Sequence, residues 1–79
     1  MSLTIPISIE DKPSELVVEL RSLIDGRLIA PIFHDHCQPG IHTIEFDPRS
    51  VPGGLEAGIY GLRVAIDGEA KVYPIQYMP

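Results

Sequence analysis

The chain has 79 residues, 44% hydrophobic and 22% charged, which fits one small folded domain and leaves little room for an enclosed active-site cavity. Six Lys and Arg stand against eleven Asp and Glu, a net charge of -5 without a basic cluster, so a nucleic-acid partner is disfavoured. A single cysteine allows no intrachain disulfide, and no run approaches the ~20 apolar residues of a membrane span, so no membrane insertion is expected.

The opening stretch has neither a basic region nor a continuous apolar one, so it does not read as a signal peptide. Leu3, Ile5, Ile7 and Ile9 alternate with Thr4, Pro6, Ser8 and Glu10, the period of a strand whose proline demotes it to an edge. After a turn at Asp11 to Ser14, Glu15 to Ile24 reads as a second strand. Leu16, Val18 and Leu20 share one face, and the two-residue beat of Glu19 and Arg21 rules against a helix. Asp25-Gly26 marks a hairpin. The return strand is expected over Arg27 to Phe33, with regular pairing ending or bulging by Ala30 because Pro31 cannot donate to the ladder. His34 to Gly40 reads as a loop stopped by Pro39-Gly40.

Ile41 to Asp47 alternates again, with Ile44 and Phe46 expected inward. Pro48 to Ala57 is a loop holding at most one helical turn or a short strand. The final stretch, Ala57 to Tyr77, is the clearest hairpin in the chain. Asp67-Gly68 satisfies a type I′ turn, which needs positive φ at both central residues. That turn fixes the register, pairing Ile66 with Glu69, Val64 with Lys71, Leu62 with Tyr73, Tyr60 with Ile75 and Gly61 with Pro74. Counting along the ladder puts Pro74 at a non-hydrogen-bonded pair, with its missing donor facing away from the partner, so the last strand is expected at a sheet edge. Six strand candidates, eight prolines, seven glycines and no helix point to an all-β fold: a single antiparallel immunoglobulin-like β-sandwich of about six to seven strands spanning residues 1–79.

A family pattern runs through these elements. Gly26-Arg27-Leu28, then Pro39-Gly40-Ile41-His42-Thr43-Ile44-Glu45-Phe46-Asp47, then Gly58-Ile59-Tyr60-Gly61-Leu62-Arg63-Val64 resemble the motifs of FlgD-like immunoglobulin-like domains and the related C-terminal sorting domains of type IX secretion cargo. Phe46 stands where that family usually has Trp, and the Lys-rich tail common in sorting domains is missing. The resemblance implies a non-catalytic module of a larger extracytoplasmic protein, periplasmic, cell-surface or secreted, acting as spacer, assembly element or secretion signal. Its implied partner is a neighbouring domain or protein, or a second copy joined through a strand edge.

Few side chains suggest chemistry. His34, His36 and Cys37 are the only clustered metal-ligand types, a candidate zinc or copper site if the loop brings the thiolate to the imidazoles. Against it stands a solvated, merely His-rich loop, since a structural zinc site wants four ligands and His42 is distant. The "G-x-H" position of His42 favours a structural role. No nucleophile elbow, phosphate loop or zincin helix occurs, so neither an enzyme nor a cofactor is expected. Tyr60, Tyr73 and Tyr77 would serve a carbohydrate-binding module if exposed. In the hairpin register they share the inward face, which makes them core. The interaction surface is expected instead on the outer face and edge of the last hairpin, at Arg63, Val72 and Pro74.

Overall fold

The computed structural model describes residues 3–78, which form six strands in chain order. These are β1 (Leu3–Ile9), β2 (Ser14–Ser22), β3 (Leu28–Cys37), β4 (Gly40–Phe46), β5 (Gly58–Ile66) and β6 (Glu69–Tyr77), with one 3₁₀ turn at Pro48–Ser50. They make an antiparallel β-sandwich of unequal layers. One sheet has four strands in the order β3-β2-β5-β6, and the other only two, β1 and β4.

Strand β2 is central, paired on one side with β3, the next strand in the chain, and on the other with β5 from some forty residues away. Its inward residues Leu16, Val18 and Leu20 have 0% exposure, each contributing about 1.5–3 kcal/mol of burial. Facing them from the small sheet are Ile7 and Ile9 of β1 and Ile44 and Phe46 of β4, all buried. The alternation read in these strands thus describes their facing correctly. Val51, just after the 3₁₀ turn, closes one end of the core together with Leu20, Ala30 and Phe46. Asp47 caps that turn by accepting from Arg49 N–H at 3.0 Å.

The β5–β6 hairpin has the expected register at every pair, from Ile66 opposite Glu69 to Tyr60 opposite Ile75. Asp67 and Gly68 take φ of 50° and 84°, as a type I′ turn demands. The turn does a second job: Asp67 N–H donates to the Glu15 carbonyl at 2.9 Å, and its carboxylate accepts from Glu15 N–H at 2.8 Å. One residue therefore clips the tip of the last hairpin to the start of β2.

Strand β3 departs from the expectation. The β2–β3 loop takes in residues 23–27 rather than Asp25-Gly26 alone: Ser22 N–H donates to the Arg27 carbonyl, and Gly26 N–H, at φ 74°, donates back to the Ser22 carbonyl. Pro31 does force irregularity, with register shifts that leave Ile29 and Ile32 as extra residues. Pairing does not end there, however. It resumes at Phe33 opposite Val18 and runs to Cys37 opposite Ser14. The segment from His34 to Cys37, expected as loop, is strand, because the two bulges restore the alternation that Pro31 interrupts. Residues 38–39 then carry the chain from the large sheet to the small one, and His42 Nε2–H donates to the Gln38 carbonyl at 2.6 Å across that corner.

Candidate functional site

Two layers of different width cannot cover each other. The two-stranded sheet spans the middle of the larger one, and β6, at the margin, has no buried residue along its nine positions; only Ile75 and Tyr77 are even half-buried. This corrects the expectation that all three tyrosines form the core: Tyr60 packs against the cluster of Leu20, Ala30, Phe46 and Val51, but the others do not complete it. Tyr73 is 49% exposed and Tyr60 and Tyr77 are half-buried, Tyr60 with its hydroxyl donating to the Glu56 carbonyl. The hairpin register aims these rings inward, but nothing lies opposite Tyr73 to bury it.

The uncovered margin is a cleft of about 630 Å³ between β1 and the β5–β6 hairpin, within the size range of ligand sites. Its floor is Leu62, Val64 and Ile66 of β5, one wall is Tyr73, Lys71 and Glu69 of β6, and the other is Ile5, Pro6, Ile7 and Ser8 of β1 with Glu10 just beyond that strand. Both inward residues of β1, Ile5 and Ile7, and outward ones, Pro6 and Ser8, line it. The cleft therefore follows the free edge of β1 rather than lying beneath the strand.

On the opposite face of the large sheet, Leu23 and Val72 converge over Gly61. A Cβ built on Gly61 would stand 2.9 Å from Val72 Cγ1 and 3.0 Å from Leu23 Cδ2, so glycine is what lets these two exposed side chains meet. Arg63, expected at a free surface, is engaged instead. It shares the Glu19 carboxylate, at 3.3 Å, with Arg21, which donates to the same oxygen at 3.0 and 3.1 Å. Val72 is 52% exposed, and Pro74 is exposed on an edge strand as anticipated. A regular antiparallel ladder turns the nitrogen of Pro74 outward at a non-hydrogen-bonded pair, and Pro6 in β1 is placed the same way opposite Thr43. Pro31 interrupts the other edge of the large sheet. Each of these edges thus lacks a donor near its middle, which blunts sheet-to-sheet association.

The structure does not gather the three candidate metal ligands. His34 and His36 sit on the outer face of β3, exposed, with His34 Nε2 at 3.2 Å from a Glu15 carboxylate oxygen. Cys37 is 5% exposed and packs inward with Ile9 and Leu16. The reason is strand periodicity, which puts residues 36 and 37 on opposite faces. Among the described residues no group of three or more His, Cys, Asp or Glu side chains is placed to hold a metal ion. Shifted carboxylates mark turns and caps rather than a reactive cluster. Asp67 is held below its ordinary pKa by the Glu15 N–H, Asp47 by the Arg49 side chain, and Asp25 by the Arg27 N–H.

Sequence reasoning missed the cleft, because it is made by a missing neighbour for β1 rather than by any motif. The one signal that bears on it was Pro6, which marks β1 as an edge. No family model, curated protein or solved structure matches this chain.

Proposed function

We propose that this domain is a non-catalytic interaction or accessory module, an immunoglobulin-like sandwich of the FlgD-like kind, working as part of a larger extracytoplasmic protein. The observation that carries this reading is β6: nine residues held by one neighbour, none of them buried and only Ile75 and Tyr77 half-buried. Exposed apolar groups on both faces of one strand, Val72 outward and Tyr73 inward, mark a surface that another polypeptide covers. The partner is a neighbouring domain, a separate protein or a second copy. With prolines at the edges, contact is made mainly through side chains on the faces.

A photo-crosslinking amino acid placed at position 72 or 73 in the intact cellular protein tests this. An adduct to another polypeptide, or to another domain of the same one, at either position is expected; none at both positions overturns the reading. Tyr73 favours a second reading, a carbohydrate-binding module, since a half-exposed ring beside Lys71 and Glu69 offers a stacking face with polar neighbours. Titration with oligosaccharides followed by tyrosine fluorescence decides it, an unchanged signal eliminating sugars.

A further inference from the structure

We infer that the β1–β6 cleft is a strand-acceptor site: it takes an extended peptide segment of a partner protein, which lies along the free edge of β1 as the third strand of the small sheet. The inference rests on the accessory-module reading and names its binding site. Three observations converge on an extended occupant. The cleft runs beside β1 from Ile5 to Glu10 and beside β6 from Glu69 to Tyr73, a length of about 17 Å, or five to six residues of strand. It is lined by residues of both faces of β1, the exposed Pro6 and Ser8 beside the half-buried Ile5 and the buried Ile7, as a lateral docking groove is and a pocket under a sheet is not. β4 occupies the other edge of β1, so the edge along the cleft is the one on which β1 has no strand neighbour.

The lining dictates the side chains of that segment. Residues pointing into the groove alternate along a strand, so apolar groups at every second position would meet Tyr73, Ile66 and Ile5, the apolar lining residues that keep exposed surface above the buried Leu62 and Val64. Toward the hairpin tip the groove ends between Glu10 and Glu69, two carboxylates against the single cation of its lining, Lys71, and the whole chain carries a net charge of -5. A Lys or Arg at that end of the segment completes the match. Main-chain pairing is incomplete by construction. In a regular ladder Thr4 and Ser8 direct their N–H and C=O groups outward, while Pro6 offers only its carbonyl. Side-chain insertion therefore carries most of the specificity, and Pro6 keeps β1 from pairing indiscriminately.

A library of random heptapeptides displayed on phage and selected on the purified 79-residue chain provides the probe. The expected consensus alternates apolar residues and carries Lys or Arg at one end. The winning peptide, made synthetically, should shift the amide resonances of Ile5, Ser8, Leu62 and Tyr73 and leave those of Leu23 and Val72 unmoved. Glu10→Lys with Glu69→Lys, both exposed positions, should weaken it roughly tenfold. Pro6→Ala, which restores a donor at the edge, should tighten it about two- to tenfold. Failure to enrich an alternating peptide, or shifts centred on Leu23 and Val72, overturns the inference. An affinity unmoved by both variants does the same. Adducts at position 72 without any peptide in the cleft would sink the acceptor site while leaving the accessory-module reading standing.

Discussion

Strands β2 and β6 belong to the same sheet, each has nine residues, and each alternates, yet β2 contains the three most deeply buried side chains and β6 none. The difference is not in their own sequences. β2 is flanked on both sides and faced by β1 and β4, whereas β6 has one neighbour and an unfilled groove in front of it. Alternation tells which way a side chain points; burial depends on what the rest of the chain puts there. On the reading proposed above, the comparison also separates stability from function, since β2 spends its apolar surface on the core and β6 leaves Val72 and Tyr73 exposed.

The sharpest way to break this contrast is truncation in β2. Leu16→Ala or Leu20→Ala removes a side chain with no exposure at all and should cost about 2–5 kcal/mol, a large share of the stability of so small a domain. Urea unfolding followed by circular dichroism measures it, and a loss under 1 kcal/mol would mean that the middle of the sandwich is not packed as described. Gly61, one strand nearer the margin, is expected to be intermediate. An alanine there pushes on Val72, whose branched side chain has little χ1 freedom, and on Leu23. Because both are exposed and can move outward, the cost should be about 1 kcal/mol, with Val72→Ala relieving part of it in the double variant.

These two sites also show what could be read in advance. The β5–β6 register was legible to the residue because a two-residue Asp-Gly turn leaves the ladder one solution. The continuation of β3 was not. Pro31 and a polar run of His34, Asp35 and His36 look like a loop, and only the paired bulges at Ile29 and Ile32 show how a strand absorbs the proline and continues. That error produced the supposed metal loop, since a strand separates Cys37 from His36 where a loop need not. The exposure of Tyr73 was illegible for a different reason. It depends on β1 and β4 pairing across more than thirty residues and recruiting no third strand, information that no local pattern contains.

Acid should act on the clip between the two regions. Asp67 is held below its ordinary pKa chiefly by the Glu15 N–H, so its folded pKa lies under the unfolded value of 3.8. Such a group contributes stability that is complete above the unfolded pKa and disappears as pH falls through the folded one. Asp25 and Asp47, lowered by bonds from Arg27 and Arg49, act in the same direction. Asp67→Asn keeps a side chain that tolerates the left-handed backbone, φ 50°, while removing the charge. The variant should be less stable than the parent at pH 7 and should converge on it below the carboxylate range. A stability gap that stays constant from pH 7 down to pH 2 would show that the charge at the hairpin tip is not what binds it to β2.

The smallest effect is expected where the unfolded-state exposure of a side chain is already half retained. Tyr73→Ala removes a large ring, and in a buried position that truncation costs about 3–5 kcal/mol. Here the ring is 49% exposed over an open groove, and solvent fills the space it leaves instead of a void forming. The loss should be about 0.5–1 kcal/mol, near the range of surface substitutions. Measured beside Leu62→Ala, its direct cross-strand partner on the covered side of the same pair, the ratio reports where the core stops. A Tyr73 cost equal to that of Leu62 would place the edge of the core beyond β6 and close the groove that distinguishes this strand from β2. A small Tyr73 cost beside a large Leu62 cost puts that boundary between two paired residues, leaving the inward face of β6 free for another chain.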